Sequence, residues 1–159
     1  MADERALYEI IMEALKEKFL KRFHNIRLEV TSDGKFSDTL KGKFDEASLY
    51  FIAQHKYPDL MGFVLENSSE YFITVEIKDE KPKIDHIYEA KMYAELFKAK
   101  YGFLISTEPL PEEIKRLKRL RDTLFKHEGW AYQQVICGEF GKDAKRLLDH
   151  KWFPENLFE

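Results

Sequence analysis

The chain has 159 residues, of which 44% are hydrophobic and 35% charged, and its formal net charge is −3 at pH 7. This length and composition indicate one globular domain with a substantial core and exclude a disordered chain. The single cysteine, Cys137, excludes an internal disulfide and a cysteine-rich zinc site. Because the overall charge is slightly acidic, binding to nucleic acid would need a local basic patch or a bridging metal ion.

The sequence contains no segment typical of a membrane or secreted protein. No apolar run approaches the roughly 20 residues that a membrane-spanning helix needs. The start, MADERALYEI, carries acidic residues early and lacks the apolar stretch of a secretory signal. We therefore expect a cytoplasmic protein without membrane contact.

The first third of the chain is predicted to begin with a helix. Apolar residues recur at helical spacing over residues 3–23, which predicts an amphipathic helix, and residues 26–30 (IRLEV) are typical of a short strand. The polar, glycine-containing stretch 32–46 predicts a loop. Residues 47–56 fit either a strand or a short helix.

The middle of the chain predicts a hairpin followed by a crossover. Residues 60–66 and 71–78 are β-rich, and Asn67-Ser68-Ser69 forms the expected turn between them. Residues 83–100 show helical periodicity, and residues 101–106 (YGFLIS) read as a buried strand. A strand, a helix and a strand in this order imply a right-handed parallel connection.

The last third predicts one further helix, one strand and a short terminal helix. Residues 111–127 have the apolar spacing and terminal residues of a helix, and residues 130–137 are typical of a last strand. Ala144, Leu147 and Leu148 indicate a short helix near the C-terminus. The predicted fold class is α/β.

Three charged residues interrupt the predicted hairpin. Because strand residues alternate between faces, Glu76 and Lys78 point to the same side of the sheet. A two-residue turn at Asn67 and Ser68 places Asp59 directly opposite Glu76, with Cβ atoms about 5 Å apart. A turn one residue longer would shift the register and separate the two carboxylates.

Two carboxylates at this separation repel each other unless a cation lies between them. Mg²⁺ suits this position, since it commonly binds one or two carboxylates and keeps other positions for water and phosphate oxygens. Such an ion would activate a water and stabilise charge on a phosphodiester. Lys78 could orient that water, help to deprotonate it or neutralise the developing charge. The residues therefore predict metal-assisted phosphodiester hydrolysis.

The run Pro58-Asp59, a hairpin and then Glu76-Ile77-Lys78 resembles the signature of the PD-(D/E)XK nuclease superfamily. The resemblance covers about residues 1–106. It implies a restriction-endonuclease-like αβββαβ core, in which helices flank a mixed central sheet. We expect this core within a single domain, 1–159, which continues as a helix/strand extension over about 107–159.

The resemblance also implies an activity and roles for individual residues. It implies a Mg²⁺-dependent DNA endonuclease, in which Mn²⁺ can substitute for Mg²⁺. Asp59 and Glu76 would hold the metal together with the main-chain carbonyl of Ile77, and Lys78 would assist the attacking water. The alternative is a catalytically inert nucleic-acid-binding or assembly module on the same fold. A further alternative is a protein-interaction domain in which the three charged residues lie on the surface without a functional role.

Many family members carry an acidic residue in the first helix, and some carry a characteristic pattern in the crossover helix. The candidates for this further metal ligand are Glu4, Glu9, Glu13 and Glu17. Glu4 fits best, because apolar residues follow it at the third, seventh and eleventh positions. Members related to the exonuclease RecB carry Gln-x-x-x-Tyr in the crossover helix. This chain has Glu89-x-x-x-Tyr93 there, which argues against that subgroup.

The expected partner is nucleic acid, with DNA favoured over RNA by the resemblance. Lys81, Lys83, Lys115 and Arg119 are the candidate phosphate contacts. For the basic residues of 115–121, the competing interpretation is a solvated helix face. A homodimer is compatible with the resemblance, since many small relatives cut two strands as pairs.

Overall fold

The computed structural model describes residues 4–117, Phe125 and residues 134–158. Its elements are α1 (Glu4–Arg22), β1 (Asn25–Val30), α2 (Asp38–Lys41), α3 (Glu46–Ala53), β2 (Leu60–Glu66), β3 (Ser69–Lys78), α4 (Ile84–Leu96), β4 (Tyr101–Ser106), α5 (Glu112–Arg116), β5 (Gln134–Gly141) and β6 (Arg146–Leu147). No helix within these described ranges has both the length and the apolar character to cross a membrane.

A mixed six-stranded sheet lies at the centre, with its strands in the order β1-β2-β3-β4-β5-β6. Strands β1, β2 and β3 are antiparallel neighbours. Strand β4 returns through α4 to lie parallel to β3, and β5 lies parallel to β4. The predicted α/β class and the parallel crossover are thus confirmed.

Helices cover both faces of this sheet. Helix α1 packs on one face, because Ile11, Leu15 and Phe19 recur every four residues and meet strand residues such as Ile73 and Val75. Helix α4 covers the other face together with α2 and α3. The buried residues on that second face include Leu40, Met61, Phe63, Tyr93 and Phe97. Lys78 is on the face that α4 covers, since its ammonium pairs with a residue of α4.

The β2–β3 hairpin has the predicted two-residue turn. Asn67 and Ser68 have φ angles of 51° and 70°, the left-handed conformation that such tight hairpin turns require. Glu66 therefore pairs with Ser69, and the pairing continues without a bulge to Leu60 and Val75. This register confirms the one expected from the sequence and fixes which residues meet at the far end of the hairpin.

Between β1 and β2 the chain is more helical than the sequence predicted. The stretch 32–46 contains the one-turn helix α2, whose first turn is capped by Ser37. The ambiguous segment 47–56 is mostly helical, because Asp45 caps α3 by accepting a hydrogen bond from the Ser48 N–H, 2.8 Å away.

The C-terminal third differs most from the prediction. The helix predicted over 111–127 ends at Arg116, where Leu117 turns extended, and its remaining residues except Phe125 lie outside the described ranges. The helix predicted through Ala144, Leu147 and Leu148 is wrong. Instead, a turn over 142–145 reverses the chain, so that Leu147 pairs with Phe140 in a β5–β6 hairpin. The expected helix/strand extension thus adds β5 to the central sheet.

Candidate active site

The far end of the β2–β3 hairpin carries the three charged residues that the sequence singled out. Glu76 and Lys78 are in the last residues of β3, and Asp59 immediately precedes β2. The fully buried Thr31 fixes the backbone at Asp59, because its N–H donates to the Asp59 carbonyl at 2.8 Å and its hydroxyl donates to the Pro58 carbonyl at 2.7 Å. Asp59 is therefore held against the end of β1.

Asp59 and Glu76 face each other across the hairpin. The Asp59 N–H donates to Oε1 of Glu76 at 3.2 Å, and the Ile77 N–H donates to Oδ2 of Asp59 at 2.8 Å. Each carboxylate is thus oriented by the backbone of the opposite strand. The juxtaposition expected from the register is confirmed.

The main-chain carbonyl of Ile77 adds a third oxygen-donor group to this end of the sheet. Residues in a strand direct their N–H and C=O groups towards the same neighbour. Because the Ile77 N–H faces Asp59, its carbonyl opens on the same side. Two carboxylates and one carbonyl are oxygen donors of the kind that Mg²⁺ prefers.

Burial keeps this pair of acids from ionising together. Burial, and next the neighbouring Asp59 charge, raise the pKa of Glu76 to about 10. Burial raises the pKa of Asp59 to about 6, although the hydrogen bond from Ile77 opposes the shift. At neutral pH and without a cation, the pair therefore holds a proton, and Glu76, the more deeply buried of the two, is its favoured carrier.

Lys78 provides the positive charge beside this pair. Its Nζ atom is 2.8 Å from Oε1 of Glu89 and 3.9 Å from Oε2 of Glu76. Burial lowers the pKa of Lys78, but the contacts with Glu89, Glu76 and Asp59 outweigh it and raise the pKa overall. Lys78 is therefore a cation at neutral pH and acts as a hydrogen-bond donor.

Glu4 is on the first turn of α1, at the same end of the molecule. Its negative charge contributes to the raised pKa of Asp59, so it is within electrostatic range of the pair. Yet the described part of the chain contains no group of three or more His, Cys, Asp or Glu side chains arranged to hold a metal ion. Any ion at Asp59 and Glu76 would have to complete its coordination with the Ile77 carbonyl, water or substrate.

Glu89 and two tyrosines also belong to the site, although the sequence analysis did not place them there. Glu89 and Tyr93 are one turn apart on α4. Burial, and then the charges of Glu76 and Glu89, raise the pKa of Tyr93 to about 12. Burial, and then the charge of Asp59, also raise the pKa of Tyr8 on α1. The Glu89-x-x-x-Tyr93 spacing was the signal that could have found the α4 pair.

Two of the candidate phosphate contacts, Lys81 and Lys83, closely follow β3, the strand that carries Glu76 and Lys78. Lys81 and Lys83 are exposed between β3 and α4, and Nζ of Lys83 is 3.7 Å from Oε1 of Glu80. Lys115 is on α5, with Nζ 3.4 Å from Oε1 of Glu112. Arg119 is outside the described residues.

In comparisons with known proteins, no family model, no curated protein and no solved structure matches the chain.

Proposed function

We propose that the protein is a divalent-metal-dependent nuclease that hydrolyses phosphodiester bonds, in DNA in preference to RNA. The observation that carries the proposal is the contact of the half-buried Asp59 with the buried Glu76, with the Lys78 ammonium beside them. Two adjacent acids shielded from water are costly to a metal-free fold, so their presence at the end of a well-packed hairpin favours a functional role.

The proposal includes membership of the PD-(D/E)XK superfamily. The succession α1, β1, β2, β3, α4, β4 is compatible with the αβββαβ core of that superfamily, with α2 and α3 inserted between β1 and β2. Asp59 directly precedes β2, and Glu76 and Lys78 are in the last residues of β3, an arrangement compatible with the motif of the resemblance. These points support a restriction-endonuclease-like fold.

The donor set fits Mg²⁺ and also Mn²⁺. Both ions accept carboxylate and carbonyl oxygens, and Mg²⁺ commonly uses only one or two carboxylates from the protein. Asp59, Glu76 and the Ile77 carbonyl would hold the ion, and Glu76 would release its proton on binding. When bound, the ion supplies positive charge that activates a water and stabilises the phosphate in the transition state.

The side chains of the chain itself supply position and charge. Asp59 stays oriented through the Ile77 N–H, and Glu76 through the Asp59 N–H. Lys78, as a protonated donor, would hold the attacking water or a phosphate oxygen that gains charge. The exposed Lys81 and Lys83 would contact neighbouring phosphates of the same nucleic acid.

A cleavage assay tests this function. Supercoiled plasmid, single-stranded DNA and branched DNA are each incubated with the protein in Mg²⁺, Mn²⁺ or EDTA. We expect cutting of at least one substrate with either metal and none in EDTA, because the metal neutralises the transition-state charge.

The assay needs an active-site variant and a matched control. Glu76→Gln should abolish cutting, whereas Glu95→Gln should not, since the exposed Glu95 pairs with Lys91, a residue of α4 outside the site. If the wild type binds DNA equally well with and without metal but does not cut it, the proposal is contradicted and the catalytically inert binding module is favoured.

A further inference from the structure

Lys78 is held by an ion pair that reaches it from a different element. Nζ of Lys78 is 2.8 Å from Oε1 of Glu89 on α4 and 3.9 Å from Oε2 of Glu76 on its own strand. The Glu89 contact is the closer of the two. The side chains of Lys78 and Glu89 are 24% and 36% exposed, so the pair is partly shielded from water.

Glu89 is a fixed anchor because α4 is fixed. Ile87 and Ala90, on either side of it, are 0% and 2% exposed, and both pack in the cluster between α4 and the sheet. Glu89 thus projects from the middle of a helix that cannot shift without disturbing the core. A lysine side chain, by contrast, has four rotatable bonds and loses rotamer entropy when it is held in one geometry.

We propose that Glu89 is the positioning residue of the site, whose carboxylate holds the Lys78 ammonium beside Glu76 so that it is ready to bind the water or the phosphate. This inference rests on the proposed nuclease function. It assigns Glu89 no contact with substrate or metal, since its carboxylate faces the ammonium of Lys78. Glu76 would remain a residue that binds the metal directly.

Two substitutions at Glu89 separate positioning from other roles. Glu89→Gln keeps an oxygen that can accept from the Lys78 ammonium, whereas Glu89→Ala removes the acceptor. We expect Glu89→Ala to lower kcat by about 10- to 100-fold with little change in KM, because misplacing a catalytic group by about 1 Å has effects of this size. Glu89→Gln should keep most of the activity, and Glu95→Gln on the same helix serves as the control.

Three kinetic results would overturn the inference. Wild-type kcat in Glu89→Ala would show that Lys78 needs no anchor. Equal losses of kcat in Glu89→Ala and Glu89→Gln, with the Lys78 side chain still rigid in Glu89→Gln, would show that Glu89 acts through its charge and not by positioning Lys78. Restoration of the Glu89→Ala rate by a higher Mn²⁺ concentration would identify Glu89 as a metal ligand.

A second measurement tests the anchor without any activity. The order parameter of the Lys78 ε-methylene group is measured by ¹³C NMR in the metal-free protein. We expect a rigid ε-methylene in the wild type, an intermediate one in Glu89→Gln and a mobile one in Glu89→Ala. If the three proteins show this order of mobility but the wild type does not cut DNA, the proposed nuclease function is refuted, whereas the positioning of Lys78 by Glu89 is retained. An equally mobile Lys78 in all three proteins would overturn the inference even if the wild type cuts.

Discussion

Lys78→Met is expected to reduce the rate of metal-dependent DNA cleavage by about 10²- to 10³-fold, the usual effect of removing one donor to developing negative charge. Methionine keeps most of the aliphatic stem of lysine but has no ammonium group to offer the water or the phosphate. In the structure this ammonium is within 4 Å of Glu76 and Glu89, so its loss removes the positive charge beside the acid pair. Single-turnover cleavage of the preferred substrate at saturating Mg²⁺ measures the effect.

Lys91→Met is the matched control for this prediction. Lys91 is also partly buried, with 17% of its side chain exposed, and it pairs with Glu95 on α4 at 3.8 Å. We expect Lys91→Met to cleave at nearly the wild-type rate. A Lys78→Met protein that is folded by circular dichroism and cleaves as fast as Lys91→Met would remove Lys78 from the mechanism.

Gly62→Ala is expected to destabilise the fold by about 3 kcal/mol, at the upper end of the usual cost of overpacking. Gly62 is in the middle of β2, and a Cβ atom there would be 1.7 Å from the carbonyl oxygen of Arg27 and 2.9 Å from the Cα of Leu28. These are backbone atoms of the paired strand β1, so β1 and β2 would have to separate. The melting temperature should fall by about 6–12 °C for a chain of this size.

Gly42→Ala provides the comparison, because a Cβ atom at Gly42 would meet no atom closer than 3.4 Å. Its melting temperature should change little. Since Asp59 directly precedes β2, Gly62→Ala should also reduce cleavage at temperatures where the protein is still folded. Equal melting temperatures for the two variants would contradict the tight β1–β2 contact.

The hairpin and its charged end were predictable because both depend on residues that are close together in the sequence. A two-residue turn at Asn67 and Ser68 determines every pair of the hairpin, so the meeting of Asp59 and Glu76 follows from counting. The alternation of faces then assigns Lys78 to the side of Glu76. These steps required no knowledge of distant contacts.

The C-terminal third could not be predicted in the same way. Ala144, Leu147 and Leu148 have the spacing of a helix, but Leu147 belongs to β6 because β5 offers it a pairing edge. The apolar pattern after Pro111 likewise continues past Arg116, where α5 ends. Short periodic patterns are weak, and pairing with the preceding strand β5 decided the outcome at Leu147.

The role of Glu89 is the part of the site that the sequence did not predict. The sequence marked Glu89 only as a departure from Gln-x-x-x-Tyr, and its role depends on how α4 lies across the sheet. That placement follows from the packing of Ile87 and Ala90 against β4 and β5. A helix-to-sheet contact of this kind depends on the tertiary structure, which a spacing rule does not contain.

Glu76→Gln tests the central claim, that Asp59 and Glu76 form a cation site, through the stability of the metal-free protein. The pKa of Glu76 rises on folding from an ordinary 4.5 to about 10, so the folded state binds more protons between these values. Stability should therefore fall as the pH rises through this window, and the loss should be largely absent in Glu76→Gln. At pH 8 we expect Glu76→Gln to melt higher than the wild type by several degrees, since each kcal/mol shifts the melting temperature by about 2–4 °C.

The most direct measurement is thermal unfolding of the wild type, Glu76→Gln and Glu95→Gln at pH 8, with and without Mn²⁺. Without metal, Glu76→Gln should be the most stable of the three. At about 100 times its dissociation constant, Mn²⁺ should stabilise the wild type and Glu95→Gln by about 2.7 kcal/mol. It should leave Glu76→Gln unchanged. A Glu76→Gln protein that melts below the wild type without metal, or three proteins with the same response to Mn²⁺, would contradict the cation site.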